Sequence, residues 1–349
     1  MSEQVVVALD AMGGDHGPGV VVEGAVKFFR ESPGSLKKGV KVILVGNRDT
    51  LARMLSRAGG QKLPIEIHHA SQVITMDDHP AEALKDKPDS SMVVMAGLQR
   101  KGVANAMVSP GNTGAMMAAS MFALGRIKGI PRPALASSIP TVGNPTILLD
   151  VGANVGCRPQ LLYKFAFMGS IYSRLVFGVE SPKICLLNVG SEPSKGTPEV
   201  KEVYQMLTSS PLNFGGNIEG DGILMGEADV VVSDGFTGNV LVKFIESIAS
   251  MVGGTLYLEM KKQWTSRMGY LFMKPSFNKL WKKFDAAEYG GAPLLGLKGV
   301  GIVAHGSSTA LAIRNAIAAA TDFRRSGAVE AIEAKMAELL EEEESTVEG

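Results

Sequence analysis

The side chains in this sequence that could do chemistry are concentrated in six short glycine-rich segments. Each segment follows an apolar run, and most precede a stretch with helical spacing. Backbone N–H groups in such loops, together with the positive end of the following helix dipole, favour the binding of an anion. The six segments are MGGDHGPG (12–19), SPGNTG (109–114), VGANVG (151–156), VGSEPSKG (189–196), SDGFTGN (233–239) and AHGSS (304–308).

The motifs that these segments lack narrow the kind of anion. None matches G-x-x-x-x-G-K-[ST] or the dinucleotide frame G-x-G-x-x-G, so phosphate alone is the simplest ligand. Lys195 could pair with that phosphate, because Thr197 and Pro198 predict the start of a helix directly after it. The alternative for Lys195 is a solvent-exposed loop lysine, as most lysines are. The other polar candidates in these loops are His16, Asn112, Thr113, Asn239 and His305.

The cysteines and histidines indicate neither a disulfide framework nor a metal site. Cys157 and Cys185 are the two cysteines, too few for a four-cysteine zinc site. Cys157 lies beside Arg158 and could be an activated nucleophile, but no surrounding pattern of His, Asn or Asp indicates a triad. His16 could carry a proton or form a hydrogen bond within a turn. We therefore predict no metal and no cofactor.

These loops need a regular framework, and the sequence predicts an α/β fold. Runs rich in Val, Ile and Leu, such as VVVALD (5–10) and VKVILVG (40–46), predict buried strands that alternate with helical stretches. This alternation predicts a mainly parallel sheet with helices on both faces. The chain has 349 residues, of which 45% are hydrophobic and 20% charged, so it can bury a large core and is not disordered.

The charge balance and the hydropathy of the chain argue against further classes of protein. Lysine plus arginine equals aspartate plus glutamate at 35 each, so no overall field recruits nucleic acid. The N-terminus MSEQ lacks a basic leader, and no run of about 18 uncharged apolar residues occurs. We therefore expect a protein that is neither secreted nor membrane-spanning, in a reducing cytoplasm.

A motif that occurs twice in the sequence predicts two lobes. ANAMVSPGNTGA (104–115) and ADVVVSDGFTGN (228–239) share a strand, Ser-x-Gly-x-Thr-Gly and a helix. Strand-to-helix turns can also resemble each other because packing requires it. If the repeat is functional, two lobes face one cleft in a single catalytic domain over residues 1–335. The C-terminal segment over 336–349 is predicted to be an amphipathic helix that ends in a solvated acidic tail.

One segment stands out from this neutral chain. Residues 255–284 carry seven basic residues against one acidic residue, and Phe277, Leu280, Trp281 and Phe284 recur at helical spacing. We predict a basic amphipathic helical hairpin whose two stripes are joined by residues 268–275; packing on the body or across a dimer interface is the alternative. An anionic membrane or an acidic protein would suit its exposed face. The predicted membrane contacts are Tyr270, Leu271, Phe272, Met273, Lys279, Lys282 and Lys283.

Taken together, the loops resemble those of the bacterial phosphate acyltransferase family, the acyl-acyl-carrier-protein:phosphate transacylases often called PlsX. The resemblance rests on ALDAMGGDHGP, SPGNTGA, LLDVGAN, NVGSEPSKGT, SDGFTGN, AEYGGAPLLG and VAHGSS, which occur in family order from residue 5 to about residue 320. It implies transfer of a fatty acyl chain from acyl-carrier protein to inorganic phosphate, giving acyl phosphate for phospholipid synthesis. It also implies a homodimer with a fold similar to isopropylmalate dehydrogenase and phosphate acetyltransferase.

The resemblance implies roles, partners and a location as well. Lys195 matches the family's active-site lysine, and Asn239 matches the asparagine expected to donate to the oxyanion. A cytoplasmic enzyme at the inner face of the cell membrane would hand its product to a membrane glycerol-phosphate acyltransferase. The residues implied for phosphate or substrate binding are His16, Asn112, Thr113, Gly114, Asp234, Gly238, His305 and Ser307.

Two other enzyme classes compete with this interpretation. LLDVGANVG (148–156), followed by Glu180, imitates the first motif of S-adenosylmethionine-dependent methyltransferases. A nicotinamide-dependent dehydrogenase of similar fold is the second alternative, although its dinucleotide glycine frame is absent. A membrane-docking scaffold without enzymatic activity would leave the loops of Lys195 and Asn239 unexplained.

Overall fold

A computed structural model describes residues 4–262, 264–284 and 286–347. Its described residues form an α/β fold with an 11-stranded sheet, which confirms the predicted class. The strands are β1 (Val5–Asp10), β2 (Val40–Gly46), β3 (Ile65–His69), β4 (Ala106–Ser109), β5 (Ala134–Ile139), β6 (Thr146–Leu149), β7 (Ile184–Leu187), β8 (Phe214–Ile218), β9 (Val230–Val232), β10 (Ala292–Leu295) and β11 (Val300–Val303). The helices are α1 (Pro18–Glu31), α2 (Gly34–Lys37), α3 (Arg48–Arg57), α4 (Pro80–Asp86), α5 (Ser91–Arg100), α6 (Thr113–Leu124), α7 (Pro159–Phe177), α8 (Pro198–Thr208), α9 (Gly220–Met225), α10 (Gly235–Lys262), α11 (Trp264–Phe284), α12 (Ala310–Ser326) and α13 (Ala328–Val347), with a 3-10 turn at Ala286–Tyr289.

The sheet consists of two parallel halves that run in opposite directions. The strand order is β3-β2-β1-β4-β11-β10-β5-β6-β9-β7-β8. Strands β1 to β4 and β11 are parallel to one another and form the first half. Strands β6 to β9 are parallel to one another and belong to the second half. Between them, β10 pairs antiparallel with both β11 and β5, and β5 pairs antiparallel with β6. The carboxyl ends of the two halves therefore lie at opposite edges of the sheet.

Helices cover both faces of the sheet. On one face α1, α7 and α12 enclose a core that includes Phe28, Phe165 and Phe323. On the other face Met92 and Met116 belong to the second core, from helices α5 and α6. Full burial of such a side chain contributes about 1.5–3 kcal/mol, so both faces are needed for stability.

The C-terminal segment 336–349, predicted as an amphipathic helix ending in an acidic tail, is in its described part a continuation of helix α13 and packs on the body. Helix α13 continues to Val347 and packs with Met336 and Leu339 buried in the core. Lys164 on α7 is 7% exposed, and its Nζ lies 3.0 Å from Glu343 Oε1. The apolar spacing thus continues into the acidic stretch, and a buried lysine binds one of its carboxylates.

The predicted position of the hairpin turn is wrong. Residues 268–275 are helical, and α11 runs through Pro275 without a break. Helices α10 and α11 are separated by residue 263, which lies outside the described residues. The pair α10–α11, here called the arm, is therefore longer than the predicted segment 255–284, because α10 begins at Gly235.

Candidate active site

Three neighbouring strands bring Lys195 and Asn239 to the same edge of the sheet. Strand β9 pairs in parallel with β6 on one side and with β7 on the other. Adjacent strands lie about 4.8 Å apart, so the loops that follow them emerge side by side. These loops are residues 151–156 after β6, 233–239 after β9 and 189–196 after β7, and they are here called the second-lobe loops after the lobe that the sequence predicts.

A buried carboxylate organises the first of these loops. Asp150 is fully buried directly after β6. Its Oδ1 accepts hydrogen bonds from the N–H groups of Leu135, Gly152 and Ala153 at 3.0, 3.2 and 3.1 Å. Its Oδ2 accepts from the backbone nitrogen and the side-chain amide of Asn154 at 2.7 and 2.8 Å. Burial raises the pKa of the Asp150 carboxyl, while these donors act in the opposite direction.

The start of α10 is fixed against this loop. Gly235 N donates to Asn154 O at 2.8 Å. Asp234 Oδ1 accepts from the N–H groups of Phe236 and Thr237 at 2.9 and 3.0 Å, which caps the helix. The carboxylate of Asp234, predicted to bind substrate, is thus engaged in starting α10.

Asn239 lies in the first turn of α10 and contacts the loop after β6. Its Nδ2 donates to Val151 O at 3.0 Å. A Cβ on Gly238 would lie 1.9 Å from Asp150 O, so only glycine allows this approach. Gly152 has φ +138°, and a Cβ there would meet Asn239 Nδ2 at 2.9 Å. The helix N-terminus and the Asn239 amide are therefore held in one place, where they could stabilise negative charge.

Lys195 is exposed in a loop that two asparagines hold in shape. Its Nζ lies 3.8 Å from Glu192 Oε1. Asn188 Nδ2 donates to Lys195 O at 3.1 Å, and Asn217 Nδ2 donates to Glu192 O at 2.9 Å. The predicted start of the next helix is confirmed, because Thr197 Oγ1 accepts from Val200 N at 3.4 Å.

Four residues that hold these loops were not predicted from the sequence. A polar residue at the end of a buried strand was the available signal for three of them. Asp150 directly follows β6, Asn188 directly follows β7, and Asn217 lies near the end of β8. The fourth is Asn154, whose role depends on contacts that the sequence pattern does not reveal.

Cys157 lies near this site but is not activated. Burial, followed by the charges of Asp150 and Asp234, raises the pKa of its thiol to about 11. A thiol with that pKa is protonated near neutral pH and is a poor nucleophile. Among the residues that the structure describes, no group of three His, Cys, Asp or Glu is arranged to hold a metal ion.

The loops that follow β1, β4 and β11, here called the first-lobe loops after the other predicted lobe, form a second cluster. Asp10 is buried, and its Oδ2 accepts from Ser109 Oγ at 2.7 Å. Asp15 N donates to Gly306 O at 2.8 Å, which joins the first loop to the last. The predicted residues that lie in this cluster are His16, Asn112, Thr113, Gly114, His305 and Ser307.

Several of these first-lobe residues have structural partners. Asn112 Oδ1 accepts from Ala115 N at 3.0 Å and caps α6, while its Nδ2 donates to Met76 O at 3.2 Å. His305 Nδ1 lies 2.8 Å from Ser307 Oγ. His16 and Thr113 are exposed. Because the first-lobe and second-lobe loops leave the sheet at opposite edges, one cleft lined by both stays a prediction.

Comparison with known proteins decides the family. A sequence model of the family described as "Fatty acid synthesis protein" matches residues 5–331. The phosphate acyltransferase of Citrifermentans bemidjiense is 46% identical over 336 residues, covering 96% of this chain and 93% of the relative. That of Heliobacterium modesticaldum is 47% identical over 312 residues, covering 89% of this chain and 91% of the relative. The chain belongs to the phosphate acyltransferase family.

Membership of the phosphate acyltransferase family establishes an enzyme of acyl transfer to phosphate, as the loop motifs predicted. It does not favour the methyltransferase or the dehydrogenase. A phosphotransacetylase from Streptococcus pyogenes has a similar structure, with a TM-score of 0.61 and 18% identity over 92% of this chain and 94% of that one. At that identity the likeness concerns the fold alone, and it confirms the expected similarity to phosphate acetyltransferases.

The arm of this phosphate acyltransferase exposes many large apolar side chains. On α10 the exposed residues include Phe236 at 62% and Phe244 at 61%, whereas Leu241, Val242 and Ile245 pack partly against the core. By length and composition α10 could cross a membrane. The sequence criterion of an uncharged run misses this helix because Lys243 and Glu246 interrupt it.

The predicted membrane contacts lie on α11. Leu271, Phe272 and Met273 are 62%, 81% and 53% exposed. The ring of Tyr270 lies 5.8 Å from that of Phe277. The side chain of Trp281 lies outside the described residues.

The three predicted lysines of α11 differ in their surroundings. Lys279 is exposed. Lys282 Nζ lies 3.8 Å from Glu288 Oε1. Lys283 Nζ donates to Val142 O at 2.7 Å, so this ammonium group is directed toward the body.

Proposed function

We propose that this enzyme transfers a fatty acyl group from the thioester of acyl-carrier protein to inorganic phosphate at the second-lobe loops. One observation carries the proposal: the N-terminus of α10 and the Asn239 amide are fixed beside the loop of Lys195, on neighbouring strands. An acyl transfer needs a place for the anionic acceptor and donors for the developing oxyanion. The two loops supply both.

In this mechanism a phosphate oxygen attacks the thioester carbonyl carbon. Lys195 offsets the charge of the phosphate, and the second amide hydrogen of Asn239, together with the positive end of the α10 dipole, stabilises the tetrahedral oxyanion. Collapse of the intermediate breaks the C–S bond, and the departing thiolate takes a proton from solvent. The acyl C–O bond remains in acyl phosphate. No covalent enzyme intermediate is required, since phosphate is itself the nucleophile, and Cys157 has no role.

We further propose that the chain, including helix α13, works as one two-lobed catalytic domain around a cleft. Five steps of the sheet separate β4 from β9. At about 20–25° of twist per step, the two sets of strands are rotated by about 100° relative to each other. Twist of that size turns the opposed carboxyl ends toward a common side. The first-lobe residues, including His16, Thr113 and His305, would then bind substrate atoms that Lys195 does not reach.

The arm supports a proposal about assembly and location. The exposed apolar faces of α10 and α11 are unusual for a monomer in water, and pairing with a second arm would cover part of them in a homodimer. The basic and apolar surface of α11 would then rest on the inner face of the membrane, beside a glycerol-phosphate acyltransferase that consumes the product. Size-exclusion chromatography with light scattering tests the dimer, and a monomeric mass would contradict it.

The direct test is a reconstituted reaction. Purified protein, long-chain acyl-carrier protein and phosphate should yield acyl phosphate, which hydroxylamine traps as a hydroxamate. Omission of phosphate is the first control, and incubation with S-adenosylmethionine or NAD in parallel tests the other two enzyme classes. Absence of phosphate-dependent hydroxamate with chain lengths from 12 to 18 carbons would overturn the proposed function.

A further inference from the structure

A groove of about 1000 Å³ lies where α6 ends and the chain turns toward β5. One wall is the outward face of α6, formed by Met117, Met121 and Phe122. The other wall is the loop Arg126–Pro131. This loop is held in shape because Arg126 donates from its guanidinium to Pro131 O. Neither the proposed phosphate site nor the arm uses these residues.

The groove combines apolar walls with a cationic rim. Phe122 is 82% exposed, a large fraction for a phenylalanine, whereas Ile127 and Ile130 are buried beneath the loop. The charged residues among those that line the groove are Arg126 and Lys128, both exposed cations. An apolar surface with a rim of one sign of charge is typical of a site for a protein of the opposite sign.

The chain that leaves one wall of the groove is hydrogen-bonded to the second-lobe loops. Two residues beyond its wall, Pro133 O accepts from Asn154 Nδ2 at 2.9 Å. Leu135 N then donates to Asp150 Oδ1 at 3.0 Å. The same Asn154 anchors Gly235 at the start of α10. A partner seated in the groove would therefore sit beside the loops that carry Asn239.

We propose that this groove docks the acyl-carrier protein through an acidic, amphipathic helix of that partner. The inference rests on the proposed function, which needs a carrier protein near Asn239. Phe122 inserts between apolar side chains of the helix, and Arg126 and Lys128 meet its carboxylates. A bound acyl chain alone would need the apolar walls but not the two cations. Charge complementarity therefore favours the carrier protein.

The experiment compares a protein-bound donor with a small one. Phe122→Glu and Lys128→Glu are assayed with acyl-carrier protein and with the same acyl group on a short thioester that lacks the protein. With the carrier, we expect KM to rise roughly tenfold or more, since a buried aromatic anchor or a complementary charge contributes on the order of 1.4 kcal/mol. With the short thioester, turnover should stay within about twofold of wild type. The KM for the carrier should also rise with salt in wild type, and less so in Lys128→Glu.

Arg57→Glu serves as the matched control. Arg57 is an exposed arginine that lines a second groove, of about 520 Å³, between α1 and α3. This variant should behave like wild type with both donors. If wild type acylates phosphate but the groove variants keep the wild-type KM for the carrier, the docking proposal is wrong while the proposed function stands.

Two further outcomes would overturn the proposal that the carrier protein docks in the groove. Equal losses with both donors would indicate that the groove holds the acyl chain. A halved mass of Phe122→Glu in light scattering, with unchanged KM for the carrier, would indicate a contact between copies of this chain. If wild type shows no phosphate-dependent transfer from either donor, the proposed function itself fails.

Discussion

The side-chain amide of Asn239 donates a hydrogen bond to the main-chain oxygen of Val151, 3.0 Å away. This contact ties the first turn of α10 to the loop after β6, across two neighbouring parallel strands. An amide nitrogen carries two hydrogens, and one of them is fixed by Val151. The rotamer of the side chain is thereby set before substrate binds, which is the condition for an oxyanion donor to act without reorganisation.

Replacement of Asn239 should lower turnover more than phosphate affinity. We expect Asn239→Ala to reduce kcat on the order of 100- to 1,000-fold, the usual cost of one oxyanion donor, with KM for phosphate within about twofold. Asn239→Asp keeps the shape but replaces the donor by a negative charge, and it should lose as much. Steady-state kinetics with varied phosphate measures both constants. A loss of phosphate affinity at unchanged turnover would contradict the role.

Replacement of Lys195 should lower phosphate affinity more than turnover. Hydrogen bonds to charged groups contribute about 1.5–3 kcal/mol, so Lys195→Ala should raise KM for phosphate roughly ten- to a hundredfold. The circular dichroism spectrum should not change, because Lys195 is exposed and its loop is held by Asn188 and Asn217. Lys201→Ala, an exposed lysine on the following helix α8, is the control. Near-normal phosphate use by Lys195→Ala would falsify the assignment.

Two glycines of α10 offer a matched pair for the packing of its first turn. A Cβ on Gly238 would lie 1.9 Å from Asp150 O, while one on Gly254 meets nothing within 4 Å. Gly238→Ala should therefore destabilise the fold by about 1–3 kcal/mol and displace Asn239. Gly254→Ala should be neutral or stabilising by up to about 1 kcal/mol, since alanine is the better helix former. Urea unfolding midpoints measure the difference, and equal midpoints would show that α10 does not begin against Asp150.

Cys157 provides a test based on pH. Its thiol pKa is raised to about 11, so the fraction of thiolate is small at pH 7 and grows about tenfold per pH unit up to that value. Alkylation by iodoacetamide, followed by mass spectrometry in a Cys185→Ser background, should accelerate over the same range. Cys157→Ser should retain acyl transfer. Fast alkylation at pH 7 together with inactivation would instead indicate an activated nucleophile.

Local patterns predicted the elements and loops well because each depends on nearby residues. The apolar runs predicted most strands, such as β1 and β2, but not β5, β8 or β10, and Thr197 marked the start of α8. Strand direction was not predictable, since the antiparallel pairs of β10 and β5 that reverse the second half of the sheet arise from long-range pairing. The frame around Asp150 likewise depends on Leu135, which only the folded chain brings close.

Two features of the helices differ from expectation for physical reasons. Pro275 was expected near a turn because proline removes one hydrogen bond of a helix. It lies instead within α11, where its neighbours are exposed and water can satisfy the freed carbonyl. In α13 the helical spacing was predictable, but the packing of Met336 and Leu339 on the body was not, because the buried partner Lys164 lies far away in sequence.

Exposed apolar residues of α11 should hold the enzyme on anionic membranes. Burying one apolar side chain contributes roughly 1.5–3 kcal/mol, and a lysine near an anionic surface contributes about 1 kcal/mol. Leu271→Glu/Phe272→Glu should therefore release the protein from anionic vesicles in a co-sedimentation assay. Val103→Glu/Met225→Glu is the control, since both residues are exposed apolar residues outside the arm, at 48% and 62%.

The lysines of α11 should contribute unequally to the same binding. Lys279 is exposed at the surface of α11, where lipid head groups can reach it, whereas Lys283 donates to Val142 O and faces the body. Lys279→Gln should weaken sedimentation with anionic vesicles more than Lys283→Gln, and the difference should vanish at high salt, where surface charges are screened. Acyl transfer in solution should survive in both variants, because neither lysine belongs to the loops of Lys195 and Asn239. If the Leu271→Glu/Phe272→Glu protein sediments as wild type does, the apolar face of α11 is covered by the second arm of a dimer and not by lipid.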